Sequence, residues 1–192
     1  MPKIGVEPIR RASLIKATIA EIGDVGSLEV TVSRIAKRAG MSSALAHHYF
    51  GSKEAMFLAA MRHVLTVYGA EVRGAISAVD TPEARARAVI RASFSAANFR
   101  HEVIAAWLNF YVLAQTRPEA RRLLRVYQRR LISNLTHALR PLFADHAPEI
   151  AENIAAMIDG AYLHAVLGDD TPDSARASAP IEAYLTLALK DC

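Results

Sequence analysis

Three aromatic residues are spaced so that they could share one face of a helix. Trp107 is followed at three and four residues by Phe110 and Tyr111. Other aromatic residues that could join them are Phe94, Phe99 and Tyr162. Aromatic ring faces attract cations, by roughly 0.5–2 kcal/mol per contact as the site loses water. The residue types therefore fit a cage for a quaternary ammonium ion, although the spacing alone fits ordinary core packing better.

A cage for a cation also needs a negative charge. Asp159 lies three residues before Tyr162 and could balance a bound cation, and Glu102 is a weaker candidate for the same role. Either carboxylate could equally pair with a neighbouring helix or lie at the surface. The candidate ligand site comprises Phe99, Trp107, Phe110, Tyr111, Asp159 and Tyr162.

The segment 31–50 has the pattern of a helix-turn-helix. Apolar residues at helical spacing precede Gly40, which favours a tight turn, and a second short helix follows. On this second helix Ser43 shares a face with His47, and Ala44 shares one with His48. Small side chains would allow a close approach to base edges in the major groove. A helical hairpin with two surface histidines fits the pattern as well.

Two of the residues expected to contact DNA, Tyr49 and Lys53, are placed to contact phosphates. Phosphate contacts would position the protein on DNA without reading the base sequence. The full set is Thr31, Arg34, Ser42, Ser43, Ala44, His47, His48, Tyr49 and Lys53.

The charge distribution also sets the first part of the chain apart. Residues 1–53 contain eight basic and four acidic residues, and this surplus of four equals the entire net charge of +4. Residues 54–192 contain 15 of each sign. A basic segment attached to a neutral one is typical of a nucleic-acid-binding module joined to another function.

Several other functions lack the residues that they need. His101-Glu102 has no second histidine at metal-binding spacing, His47 and His48 diverge around a helix, and Gly23 and Gly26 lack the strand and lysine of a phosphate loop. No nucleophile, base and orienting group occur together, so we expect no enzyme, metal or cofactor. The lone Cys192 precludes an internal disulfide, and no apolar run could span a bilayer, which fits a cytoplasmic protein.

The chain of 192 residues, 52% of them hydrophobic, can bury a substantial core, and its periodicity is helical nearly throughout. Thr31, Ser42 and Ser52 are expected N-caps, as are Thr81 and Thr171, each before Pro and an acid. The predicted fold is all-α with about nine helices. Their approximate ranges are 8–25, 32–39, 43–50, 53–79, 82–98, 101–115, 118–143, 148–167 and 172–190, the last kinked at Pro180.

Two further helical faces have apolar or basic patterns. The last two long helices offer a face on which a homodimer could form a four-helix bundle, although packing within one chain is the alternative. Its residues are Ile154, Met157, Ile158, Ala161, Ile181, Tyr184, Leu185 and Ala188. Arg121, Arg125 and Arg129 form a basic stripe that we interpret as a solvated face, with a second phosphate-contacting surface as the alternative.

The segment HHYFGSKEAM, with the Gly40 turn before it, resembles the signature of TetR-family repressors. Segments similar to the choline-responsive BetI subgroup of that family are MPKIGVEPIRRASLIKATI, RIAKRAGMS, HYFGSKEAM, AAWLNFY, RRLISNL and IDGAYL. The chain departs from the subgroup at residues 43–47, which read Ser-Ala-Leu-Ala-His, and this departure concerns the operator sequence.

The resemblance implies a three-helix DNA-binding domain at 1–53 and a helical ligand-binding and dimerisation domain at 54–192. It implies a homodimeric repressor that binds double-stranded operator DNA, takes choline as its effector, and controls glycine-betaine synthesis or choline uptake genes. A repressor with another small cationic or amphipathic effector is one alternative. A helical interaction module or enzyme without DNA binding is the other.

Overall fold

The computed structural model describes residues 5–168 and 171–190, and within these ranges all regular structure is helical. This confirms the predicted all-α class. One turn of 3-10 helix, Ala144–His146, precedes the eighth of the α-helices. The α-helices are α1 Val6–Val25, α2 Val32–Arg38, α3 Ser43–Phe50, α4 Lys53–Ser77, α5 Pro82–Ser93, α6 His101–Thr116, α7 Pro118–Phe143, α8 Ala147–Leu167 and α9 Ser174–Ala188.

The ends of the first helices follow the capping residues in the sequence. Gly26 ends α1 in the left-handed conformation, with φ of 71°, and its N–H donates to the carbonyl of Ile22. The hydroxyls of Thr31, Ser42 and Ser52 accept backbone N–H groups at the starts of α2, α3 and α4, as predicted.

Two predicted boundaries are wrong. α5 ends at Ser93 rather than near residue 98, because the buried Asn98 turns the chain by donating its side-chain amide to the carbonyl of Ala92. α9 begins at Ser174, and the carboxylate of Asp173 caps it in place of the expected Thr171. The helix continues through Pro180. Cys192 lies outside the described residues.

One continuous hydrophobic core joins the first three helices to the rest of the chain. α1 packs against both α4 and α6, and α7 packs against α5, α6 and α8. The hairpin of α2 and α3 is therefore attached to the rest of the chain through α1 and α4.

Within the described ranges, no helix is both long enough and apolar enough to cross a membrane.

Candidate nucleic-acid interface and cation site

The α2–α3 hairpin has a buried side and an open side. Ile35, Ala36 and Ala46 are fully buried between the helices, and the N–H of Met41 donates to the carbonyl of Ala36 across the turn at 2.8 Å. On α3, Ala44, His47 and His48 are exposed, and Ser43 is half-buried. The first helix thus braces the second, and the expected reading face lies open to solvent.

Arg34 is held on the protein by an ion pair that the sequence pattern did not reveal. Its Nε lies 2.9 Å from the carboxylate of Glu21 in α1, and Arg38 bridges the same carboxylate and Asp24 at 3.4 and 2.7 Å. The side chain of Glu21 is only 9% exposed, whereas that of Arg34 is 57% exposed. Arg34 therefore fixes α2 against α1 while part of its guanidinium remains open.

Lys53 also makes a contact within the protein. Its Nζ donates to the carbonyl of Leu28 at 3.0 Å, which fastens the start of α4 to the loop before α2. Arg11, a residue that the sequence pattern did not single out, donates to the carbonyl of Tyr49 at 2.6 Å and lies over the rings of Tyr49 and Phe50. These basic side chains orient the hairpin in addition to adding positive charge near it.

The aromatic residues of α6 meet tyrosines from two other helices. The ring centroid of Trp107 lies 4.5 Å from that of Tyr127 in α7 and 6.0 Å from that of Tyr111. Tyr127 in turn packs edge-on against Tyr68 of α4 at 5.5 Å. Sequence spacing does not identify Tyr68 and Tyr127, because only the packing of α4 and α7 against α6 brings these distant residues to the same place.

Asp159 lies next to this aromatic group, and few polar groups stabilise the negative charge that its carboxylate can carry. The hydroxyl of Tyr111 donates to its Oδ1 at 2.8 Å, and no other described residue forms a hydrogen bond or an ion pair with the carboxylate. Burial raises the pKa of Asp159 above its ordinary value, against the smaller opposite effect of the Tyr111 hydrogen bond. A carboxylate in this setting would be stabilised by a cation.

The surrounding tyrosines remain neutral at physiological pH. Burial, with a smaller contribution from the charge of Asp159, raises the pKa of Tyr68 to about 12. Burial is also the largest cause that raises the pKa values of Tyr111, Tyr127 and Tyr162 above the ordinary value, and neighbouring groups, Asp159 among them, add to it. Asp159 is therefore the group that can carry a negative charge among neutral aromatic residues, which is the combination that a small organic cation needs.

The remaining predicted ligand residues divide into two groups. Phe99 and Tyr162 pack together with Phe94, with ring centroids 5.0–5.9 Å apart. The hydroxyl of Tyr162 donates to the carbonyl of Ser93 and lies 3.3 Å from that of Asn98. Phe110 is fully buried against Trp107 and Phe57 of α4. The structure thus brings Trp107, Tyr111 and Asp159 together, while Phe110 belongs to the core behind them.

Glu102 and the arginine stripe have other surroundings. Glu102 pairs with Arg100 at 3.2 Å and lies against α1. Arg121 donates to the carbonyls of Ala114 and Gln115 at the end of α6, at 3.1 and 2.6 Å. Glu102 therefore lies at a helix contact, and Arg121 caps the preceding helix.

Four residues predicted to form a dimer face are buried inside the single chain, so that part of the prediction is corrected. They are Ile154, Ile158, Ile181 and Leu185, each at most 1% exposed. Met157, Ala161, Tyr184 and Ala188 are half-buried. The large apolar residues of α8 and α9 that do face outward are Leu163, Leu167 and Leu187, at 43–71% exposure. The buried set packs α8 and α9 onto their own core.

Family models match two separate parts of the chain. Residues 14–60 match the family model of bacterial regulatory proteins of the tetR family. Residues 82–190 match the model of the C-terminal part of BetI-type transcriptional repressors.

Curated relatives match over nearly the full length. The HTH-type transcriptional regulator BetI of Brucella anthropi is 52% identical over 190 residues, which cover 98% of each chain. The protein of the same name from Rhizobium meliloti is 48% identical over 192 residues, which cover 100% of this chain and 90% of that protein.

Solved structures have the same fold. A transcriptional regulator from Pseudomonas aeruginosa PAO1 matches with a TM-score of 0.77 and 27% identity, over 95% of this chain and 91% of that one. A transcriptional regulator from Saccharomonospora viridis, determined in complex with choline, matches with a TM-score of 0.81 and 18% identity, over 92% and 95% of the chains.

Proposed function

The chain belongs to the TetR family of bacterial regulatory proteins, with a BetI-type C-terminal part, and from this premise we propose that it is a homodimeric repressor that senses choline or a related quaternary ammonium compound. As in that family of DNA-binding regulators, it is a transcriptional regulator and not an enzyme. In this proposal residues 1–53 bind operator DNA, and residues 54–192 bind the ligand and the partner chain. The regulated genes are those of glycine-betaine synthesis or choline uptake.

One observation carries the choice of effector. The half-buried carboxylate of Asp159 accepts a hydrogen bond from Tyr111, whose ring neighbours that of Trp107, and Trp107 in turn packs on Tyr127. A quaternary ammonium ion has no N–H to donate, so it needs charge balance and polarisable faces rather than hydrogen-bond acceptors. The choline complex of the S. viridis regulator supports the same choice. A neutral or anionic effector would leave Asp159 without compensation.

The contacts between α1 and α6 offer a route from the ligand to the DNA-binding part. α6 carries Trp107 and Tyr111, and on its other side Asn109 donates to the carbonyl of Gly26 at 3.2 Å. The ring of His101 lies within hydrogen-bond distance of the carbonyl of Gly23, also at 3.2 Å. A movement of α6 on ligand binding would therefore act directly on the end of α1. Choline changes DNA affinity only by the difference in its affinity for the two states.

The dimer that operator half-sites require would use the outward faces of α8 and α9. Leu163, Leu167 and Leu187 lie there and leave apolar surface exposed on a single chain. Gly160 on the same side of α8 has no atom within 4 Å of an added Cβ, so a partner helix could approach closely. These outward residues replace the buried isoleucines in the proposed interface.

The test is a titration of operator binding in the presence of three ligands. Choline, ethanolamine and 3,3-dimethyl-1-butanol differ in methylation and in charge, and the last has the shape of choline without its charge. We expect choline to bind and to weaken operator binding, ethanolamine to act less, and the neutral analogue to bind poorly. Trp107→Phe should retain much of the choline affinity, whereas Trp107→Ala should lose it.

Equal affinities for choline and for the neutral analogue would refute the cation cage. If another small cationic or amphipathic compound binds in place of choline, the protein is still a repressor but its effector is not choline. A protein that binds neither operator nor scrambled DNA would refute the repressor itself.

A further inference from the structure

A groove runs along the outside of the protein between α4 and α7. It has two connected parts, of about 550 and 450 Å³, that share Arg73 and Asn134 as lining residues. Cavities of several hundred Å³ are typical of small-molecule sites. The floor of the larger part is apolar, formed by Leu65, Val72, Leu123, Val126, Tyr68 and Tyr127. Val126 is 40% exposed on this floor, so the groove presents apolar surface to solvent.

The rim of the groove carries a concentration of positive charge. Arg62, Arg73 and Arg130 line the larger part, and Arg85 lines the smaller one. Among the described residues that line either part, none is acidic. The rim therefore lacks the carboxylates that would neutralise these cations within the chain.

The arginines that line the larger part of the groove lack the carboxylate partners that other arginines of the protein have. Arg34 and Arg38 share Glu21, and Arg87 pairs with Glu83 and Glu182. The guanidinium groups of Arg62, Arg73 and Arg130, in contrast, form no hydrogen bond or ion pair with any described residue. Three planar, multidentate donors around an apolar floor match a carboxylate or phosphate head group attached to an apolar chain.

We propose that the α4–α7 groove is a second ligand site, which binds a small amphipathic anion with its chain on the apolar floor and its head group at the arginine rim. The anion is chemically opposite to the cation proposed for the Asp159 site. The two sites share a wall, because Tyr68 and Tyr127 line the groove while Tyr127 also packs against Trp107. The groove is nevertheless distinct, since neither Asp159 nor Trp107 lines it.

The proposal is tested by calorimetric titration of the full chain with decanoate, decanamide and inorganic phosphate. Decanoate supplies both chain and charge, decanamide the chain alone, and phosphate the charge alone. We expect saturable binding of one decanoate per chain and much weaker binding of the other two. Arg130→Gln and Arg73→Gln should each weaken decanoate binding about tenfold, because each removes a charge-assisted hydrogen bond.

Two further variants separate the groove from general effects. Arg125→Gln removes an exposed arginine of α7 that does not line the groove, and it should leave decanoate binding unchanged. Gly69→Leu fills part of the groove, with an added Cβ 3.3 Å from the guanidinium of Arg73, and it should weaken binding. Thermal unfolding of each variant would show that the chain remains folded, and choline affinity should stay unchanged in Arg130→Gln.

Three results would overturn the proposal. Equal affinities for decanoate and decanamide would mean nonspecific apolar binding. Equal affinities for decanoate and phosphate would mean a simple anion surface. Absence of decanoate binding, together with a loss of DNA affinity in Arg62→Gln and Arg130→Gln that is uniform across DNA sequences, would assign these arginines to DNA phosphates.

Discussion

Gly23 of α1 lies directly against Glu102 of α6, so that the two helices touch through their backbones. A Cβ placed on Gly23 would lie 2.4 Å from the Cβ of Glu102 and 2.7 Å from its Cα. Neither atom belongs to the flexible end of a side chain, so any added methyl must move a helix. The DNA-binding part and the proposed ligand-binding part therefore meet at a position where only glycine fits.

The first prediction follows from that contact. Gly23→Ala should lower the free energy of unfolding by about 1–3 kcal/mol, because it overpacks the α1–α6 contact. Gly74→Ala is the matched control, since Gly74 lies within α4 and has no atom within 4 Å of an added Cβ. It should raise the free energy of unfolding by about 0.5–1 kcal/mol. Denaturant unfolding measures both, and a stabilised Gly23→Ala protein would contradict the close contact.

The second prediction concerns Asp159. Because burial raises its pKa, its contribution to stability is complete below the unfolded pKa and is lost as the pH rises through the folded pKa. Above the folded pKa the ionised carboxylate is therefore unfavourable in the free protein. Asp159→Asn should raise the melting temperature at a pH above that pKa, since an amide oxygen can still accept from Tyr111. The same variant should weaken choline binding by about 2 kcal/mol or more, roughly thirtyfold.

This pair of effects distinguishes a ligand carboxylate from a structural one. If Asp159 had only a structural role, its replacement would lower the stability of the protein and leave choline affinity unchanged. Scanning calorimetry and a choline titration on the same preparation would give both values.

The third prediction is a pH dependence of choline affinity. Choline keeps its charge at every pH, so any dependence must come from the protein. Affinity should be constant at pH values well above the pKa of Asp159 and fall as the pH drops through it, and this pKa lies above the ordinary 3.8. Titrations down to the lowest pH at which the protein stays folded would measure it. Asp159→Asn should give a flat profile, and a wild-type profile as flat as that of the variant would exclude Asp159 as the counter-charge.

Local signals in the sequence predicted most of the fold. Thr31 and Ser42 cap their helices as expected, because a cap depends on the residue itself and the next three. The predicted end of α5 was wrong because the helix end depends on Asn98, whose side chain forms a hydrogen bond with the carbonyl of Ala92 only in the folded chain. Sequence spacing cannot show a contact of that kind.

The candidate site was predictable only within one helix. Trp107 and Tyr111 share a face of α6 by periodicity, whereas Tyr68 and Tyr127 reach them through the packing of α4 and α7. The sequence correctly predicted apolar faces on α8 and α9, but Ile158 lies in the core of the single chain and not on an outer face. Periodicity shows that a face is apolar and does not show what covers it.

The fourth prediction tests the reading face of α3. His48 is exposed and contacts the ring of Tyr49 edge-on, with the ring centroids 5.4 Å apart. His48→Ala should change base preference at one operator position by about 1–3 kcal/mol and leave the salt dependence of binding unaltered. His63→Ala, at an exposed histidine of α4, is the control and should bind as the wild type does. A uniform loss across operator and scrambled DNA would instead make His48 a phosphate contact.

The fifth prediction separates the proposed dimer interface from the core of the single chain. Leu187 is 59% exposed in the single chain, so Leu187→Glu should leave the monomer folded. In a dimer the new carboxylate would be buried without a partner at a cost of several kcal/mol, and the chains should separate.

Two variants calibrate that result. Ile158→Glu places the same charge at a residue that is 1% exposed and should unfold the chain itself. Val112→Glu alters a side chain on α6 that is also 59% exposed and should change neither mass nor stability. Light scattering gives the mass, and circular dichroism shows whether each chain is folded. A folded monomer from Leu187→Glu alone, with loss of operator binding, would place the interface on the outward face of α8 and α9. A wild-type protein that is monomeric at micromolar concentration would contradict the dimer.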